Sequence, residues 1–418
     1  MEAFFSRQAK AVSGLMQGVS FAFWRGGAQL IPSRGGVAVI LCALVALAAG
    51  GSPSRGGFDT VINVPPDLPD ASTIRSNTQV NVADGGNVGA DVQLGSPSFV
   101  AFPNVPSTPS SHIELNVYGG TVGDVLRAGS LLGTDSDIVV NLYGGSIGGL
   151  FHADGGTTVN IFGGSIGDDF SAGHWAPLFG PATVGNPVVV NMSGGSIGAL
   201  AGVGGTLNLS GGNIGQSFFG AQTLNMSGGV IDSWVHVENT EVANISGGQI
   251  NYDLGVAGVA NVSGGTIGTA VGVGAGGVLN FSGGTAGNSI HADAGSQLNI
   301  SGGDFRLDGA PIAGLQNVGS SLPFNIPAGS LLTGTLADGT PIALTGFNTV
   351  EVGDVIADGA LTLHTTAIPT AAPITFHCRV VLYLAVCARG NRWSWRTGAR
   401  SETDSMPVGA ARSRLRAE

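Results

Sequence analysis

The sequence predicts an all-β fold: a right-handed parallel β-helix of about 17–19-residue coils, closed by a C-terminal β cap. Three observations predict it. A short phrase recurs eleven times: a hydrophobic residue, Asn, a hydrophobic residue, one more residue and then usually Gly-Gly. Its asparagines are Asn81, Asn116, Asn141, Asn160, Asn191, Asn208, Asn225, Asn244, Asn261, Asn280 and Asn299. From Asn191 onward the spacings are 17, 17, 19, 17, 19 and 19 residues. A unit that short buries no core alone and must stack on its neighbours. Apolar residues also fall at fixed offsets from each Asn, without the hexapeptide period of other β-helices.

The N-terminus reads as an export signal occupying residues 1–48. Arg34 precedes the apolar run Val37 to Ala49, and Ala46-Leu47-Ala48 fits a small-residue cleavage site. The run is short for a bilayer span. The chain is therefore expected outside the cell or at its surface, the alternative being an anchor at residues 37–49 left uncleaved. Residues 49–76 read as a linker or N-terminal cap.

Residues 77–303 form the expected array. Taking Asn208 as position 0, Leu207 and Leu209 alternate with it, so they face inward and Asn208 outward. Gly211-Gly212 then turns the chain. Ile214 at +6 is apolar, as is Phe218 at +10, and +12 is Ala, Val or Gly in every coil from Asn116 to Asn280. Stacked coils would align these positions into inward ladders. Hydrogen bonds would run between coils, in parallel sheets, with a rise of ~4.8 Å per coil. Insertions interrupt the spacing after Asn81, Asn116 and Asn160. The last carries Trp175 on a loop.

After Asn299 the phrase stops. A solenoid end exposes apolar core and unpaired backbone. Residues 304–368 hold a hairpin signal at Leu336-Ala337-Asp338-Gly339-Thr340 and an alternating run from Ala360 to His364, so they read as the C-terminal cap. Residues 369–418 change character. Eight of fifteen arginines fall there, with Trp393 and Trp395, and the segment reads as disordered or non-native sequence.

Charge excludes several functions. Between Asn77 and Ile374 sixteen Asp and four Glu face only Arg127 and Arg306, a net charge of −18 with histidine neutral. Such a surface repels nucleic-acid phosphate and anionic lipid, so a membrane contact is expected only through an uncleaved N-terminal segment. The array has no cysteine, so disulfides do not hold it.

Candidate chemistry is sparse. His152, His236 and His291 occupy position +11, each with an acid two residues on (Asp154, Glu238, Asp293). A His–carboxylate pair suits acid–base work, but these pairs lie several coils apart and cannot form one site. Asp168-Asp169 and His174 weakly suggest a hydrolase cluster, yet no Lys lies in the array and its two Arg are far apart. No phosphate-binding loop, zinc spacing or nucleophile elbow occurs, and no cofactor is implied. Seven ladder asparagines sit in N-x-S sequons, but Asn persists where the Ser is missing, so a structural amide ladder explains it better. Tyr118, Tyr143 and Phe162 share one outward position on successive coils. With Trp175 they are the candidate ligand-binding residues.

The phrase Asn-Φ-Ser-Gly-Gly-x-Ile-Gly, as at Asn191 to Gly198, resembles the Gly-rich repeats of autotransporter-type adhesin passenger regions, secreted bacterial proteins of the pectin-lyase-like β-helix class. The resemblance covers about residues 77–303. It implies an exported, noncatalytic structural or adhesive protein whose partners are extracellular glycans or surface proteins. The final residues lack the alternating membrane strands of a translocator barrel, so export through its own barrel is not expected. The alternative reading is a β-helix polysaccharide-active enzyme or carbohydrate-binding protein.

Overall fold

The computed structural model describes residues 57–96, 108–130, 134–173, 187–287, 289–346, 354–357, 359–368, 381–385 and 395–399. Every regular element among them is a β-strand. The export segment, the loop bearing His174 and Trp175, and most of the tail lie outside the described residues.

The chain is a parallel β-helix. Each coil contributes three strand segments, and each segment pairs in parallel with its counterpart one coil away. In one coil these are Thr157–Ile161, Ser165–Ile166 and Ser171–Ala172. Asn160 stands opposite Asn141 and Asn191, Ile166 opposite Ile147 and Ile197, and Ala172 opposite Ala153 and Val203. The register is that of the repeat: a strand slipped by one residue would turn its apolar side chains to water.

The inward ladders are those of the apolar offsets. At +6, Val122, Ile147, Ile166, Ile197, Ile214, Ile231, Ile250 and Ile267 are all buried, and only Ala286 is half-buried. At +10, Leu126, Phe151, Phe170, Ala201, Phe218, Val235, Leu254, Val271 and Ile290 are buried throughout. Phe151 and Phe170 meet tilted, with ring centroids 5.2 Å apart. At +12, from the coil of Asn116 onward, the buried side chains are small, Ala128, Ala153 and Ala172 first and Val203, Val237, Val256 and Val273 further on.

The Gly-Gly corner has two separate physical causes. Its second glycine adopts a positive φ, 72° at Gly164, which L side chains resist. Its first has no space: a Cβ on Gly144 would lie 2.6 Å from the carbonyl oxygen of Tyr118 one coil back. A later corner instead carries non-glycine residues with positive φ, among them Val125, Leu150, Asp169 and Leu200. The N–H of each of these four donates to a carbonyl of the following coil, at 2.9 Å. Those bonds offset the local strain.

Both ends of the array differ from expectation. At the N-terminal end, Thr60–Val64 pairs in parallel with Thr78–Val82, placing Asn63 beside Asn81. That part of the expected linker is itself a coil. At the C-terminal end, Asp354–Ala357 and Ala360–Thr365 pair in parallel with Ser289–Ala292 and Gln297–Leu307. They form one more rung, reached after an inserted segment. The insertion holds the expected hairpin, Leu331–Leu336 antiparallel to Pro341–Gly346. It also holds Ser321–Phe324, which lies antiparallel on the open edge of the last rung, with Pro323 opposite Thr362. Proline donates no backbone hydrogen bond, so this position discourages further strand addition. In the tail, Val381–Ala385 and Trp395–Ala399 pair antiparallel as a separate two-stranded sheet, so this part of the expected disordered segment has strand structure.

Replacing Ile214, which is 1% exposed, by Asp should cost several kcal/mol, since an unpaired charge would sit in a dry stack. Thermal or denaturant unfolding checks this; an unchanged midpoint would contradict the inward placement.

Candidate binding surface

The outward face of the longest strands carries an unbroken amide ladder. Each Asn Nδ2 donates to the Oδ1 of the Asn one coil earlier, from Asn81 onto Asn63 through to Asn299 onto Asn280, at 2.8–3.1 Å. All the bonds point the same way along the axis. Every asparagine expected in the ladder is in it, and one was missed. Asn63 fits the hydrophobic-Asn-hydrophobic pattern as Ile62-Asn63-Val64, but Pro65-Pro66-Asp67 follows and no Gly-Gly.

Two residues after each Asn runs a second column. After Pro65 and Ala83 it holds the three aromatic residues and continues as Ser193, Ser210, Ser227, Ser246, Ser263, Ser282 and Ser301. Ser210, Ser246, Ser263 and Ser282 donate to carbonyls of the preceding coil at 3.2–3.4 Å. The rings of Tyr118, Tyr143 and Phe162 stack on one another, with centroids 5.1 and 5.0 Å apart and planes within 7° and 9° of parallel. Each is about half exposed.

This stacking changes what the trio offers. The middle ring has both faces covered, so it presents its edge and hydroxyl to water. Open faces remain only on the outer side of Tyr118 and of Phe162. Burial raises the Tyr143 pKa first, and the neighbouring Tyr118 and Glu114 raise it further. The three insertions leave a different corner, after Leu94, Ala128 and Ala172. The segment bearing Trp175 therefore departs from the end of the third strand, whereas the rings stand at the Gly-Gly corner. A second exposed aromatic pair, Trp234 and Tyr252, meets edge to face at 6.4 Å. It has no periodic signal in the sequence.

The acidic candidates act between coils. Asp168 Oδ1 accepts the backbone N–H of Ala199 at 2.7 Å, as Asp124 accepts from Gly149, Asp253 from Ala270 and Asp70 from Ala90. Asp135, fully buried, accepts from the backbone N–H and hydroxyl of Ser96 and from the N–H of Ser110, at 2.7 Å each. It ties together the ends of an inserted segment. His291 pairs with Asp293 at 2.7 Å, as expected from their spacing. His152 stands beside Arg127 in the register. Its pKa is lowered, first by burial and also by Arg127, while Asp154 and Asp169 act in the opposite sense. Arg127 itself pairs with Asp91. Among the described residues no three His, Cys, Asp or Glu side chains gather as a metal site.

An open, shallow depression of about 580 Å³ lies near the C-terminal end of these columns. It is lined by Asn261, Asn280 and Asn299, by Ser263, Ser282 and Ser301, by His364, and by Val262. No repeat signals it, because His364 reaches the serine column only through the extra rung, where it stands opposite Ser301. No protein-family model, curated protein or solved structure matches this chain.

Two measurements follow from this geometry. Asn208→Asp should destabilise the protein more than Asn208→Ala. The carboxylate would set an acceptor against Asn191 Oδ1 and leave no donor, at a cost of about 1–3 kcal/mol; equal unfolding midpoints would contradict the ladder. The depressed His152 pKa means that the fold favours neutral imidazole. Its contribution should be complete above the ordinary value of 6.5 and decline as pH falls below it. His152→Gln should therefore narrow the stability difference between pH 8 and pH 5, read as Tm; an unchanged pH dependence would contradict it.

Proposed function

We propose that this chain is an exported, noncatalytic β-solenoid serving as a structural or adhesive module outside the cell or at its surface. The observation that carries the reading is the use of polar side chains between coils. The Asn column, four of the Ser hydroxyls, and Asp70, Asp124, Asp168 and Asp253 all bond from one coil to another. What remains outward is a repeated surface of modest groups, suited to many weak contacts along one axis. The apolar run at residues 37–49 and the resemblance of the repeat to autotransporter-type passenger regions support export. The partners that fit are extracellular glycans or surface proteins. The net charge of −18 between Asn77 and Ile374 disfavours nucleic acid and anionic membrane.

The test uses the full chain, expressed with its N-terminal segment. It should be recovered outside the cytoplasm and adhere to immobilised extracellular material. It should release no reducing ends from neutral or acidic polysaccharides. Asp168→Asn should lower Tm by weakening the bond to Ala199. Polysaccharide cleavage that disappears in Asp168→Asn or Asp169→Asn would instead establish the enzyme alternative.

A further inference from the structure

We propose that the depression formed by Asn261, Asn280, Asn299, Ser263, Ser282, Ser301 and His364 binds a neutral polyhydroxylated chain, a glycan without charged substituents, laid along the solenoid axis. The assignment rests on the adhesive reading and gives it a ligand class and a place.

The first support is the hydrogen-bonding capacity left over. Each Asn amide has two N–H donors and two lone pairs, and the ladder uses one of each. Near the N-terminal end the surplus is already engaged. Asn81 also donates to Gln79, and Asn116 to Glu114, from the column two residues before the asparagines. Beside the depression that column holds Val259 and Val278, which accept nothing, next to Asn261 and Asn280, and Gln297 next to Asn299. The second N–H of Asn261 and Asn280 therefore faces outward, next to serine oxygens that retain lone pairs. Donors and acceptors alternate at the coil spacing of ~4.8 Å, with an aliphatic column alongside. Sugar hydroxyls, which both donate and accept, and the C–H faces of sugar rings match such a strip.

The second support is the polarity of the ladder. All its bonds run from each Nδ2 to the Oδ1 of the preceding coil, so the chain of amides ends in an acceptor, Asn299 Oδ1. Thr362 stands opposite Asn299 in the next rung, and no group among the described residues donates to that oxygen. A carbonyl at the end of an aligned chain is polarised by the bonds behind it and accepts more strongly. It lies in the depression beside His364, whose imidazole can donate or accept.

The third support is charge and the cap. No carboxylate, Lys or Arg lines the depression, which disfavours a cation or an anionic glycan. The cap gives it a built end. Ala337 and Asp338 at the hairpin tip donate backbone N–H bonds to the carbonyls of Ser301 and Ser282. The Asp338 carboxylate is engaged by Gly284 and Thr340.

The experiment titrates the full chain with a length series of neutral oligosaccharides and, in parallel, with a uronic-acid series. Neutral chains should bind, with affinity rising over the first few sugar units and then levelling. The double variant Ser282→Ala/Ser301→Ala should stay folded and bind about tenfold more weakly, with Tm lowered only by loss of the Ser282 bond to the Val262 carbonyl. Ser263→Tyr supplies an independent block. The same column already carries Tyr118 and Tyr143, so a ring is compatible with the fold, and it should abolish binding. Absence of neutral-glycan binding, equal affinity for the uronic-acid series, or undiminished binding by Ser263→Tyr would each overturn the proposal. Surface adhesion is measured on the same proteins. Adhesion that persists in Ser263→Tyr removes the glycan assignment and leaves the adhesive reading standing; adhesion missing from the parent protein removes that reading, while glycan binding is still read directly.

Discussion

One side-chain amide per coil, held in the same place on every coil, is the interaction around which the rest of the molecule is arranged. Backbone hydrogen bonds between parallel strands tolerate many side chains. A ladder of asparagines tolerates only one register, because each amide must both donate and accept along the axis. The run from Asn63 to Asn299 crosses coils of different length, including those interrupted by inserted segments. Insertions are accommodated because they leave from corners and return before the next asparagine. The inward ladders at +6, +10 and +12 supply the apolar burial, and the amides fix which residues meet.

The remaining features follow from that spacing. Coils about 4.8 Å apart bring corners too close for side chains at certain positions, which accounts for Gly-Gly. The same spacing lets rings at the next position stack face to face, as Tyr118, Tyr143 and Phe162 do. It also lets serine hydroxyls reach the carbonyl of the coil behind. Carboxylates such as Asp124 and Asp168 take up backbone N–H groups that a corner would otherwise leave unpaired. A stacked coil thus draws its polar surface into structure, and ligand recognition falls to the capacity that stacking leaves unused. That surplus is greatest where the aromatic column and the Gln79 and Glu114 partners have given way to serine and valine.

Much of the core was legible in the sequence because it is periodic. Each aliphatic named at +10 is buried, and at +6 only Ala286 is not fully so. What escaped was aperiodic. Asn63 went unread because Pro65-Pro66-Asp67 follows it and the Gly-Gly is missing. The last rung went unread because Thr362 takes the asparagine position and the inserted residues separate it from the array. His364, and with it the depression, could not be placed without that rung. The position of the three aromatics was legible, but the orientation of their rings was not, since alternation says which way a side chain points and not which face it shows. The pairing of His291 with Asp293 was legible for the same reason that the core was: residues two apart on a strand share a face.

Hydrogen exchange at the side-chain amides tests the central claim most directly. Side-chain Nδ2 protons of the ladder asparagines are resolved by NMR on selectively labelled protein. One proton of each amide from Asn116 to Asn280 should exchange far more slowly than a free asparagine, with the other exposed at Asn261 and Asn280. Exchange of both protons at free-amide rates along the array would contradict the ladder and the register built on it.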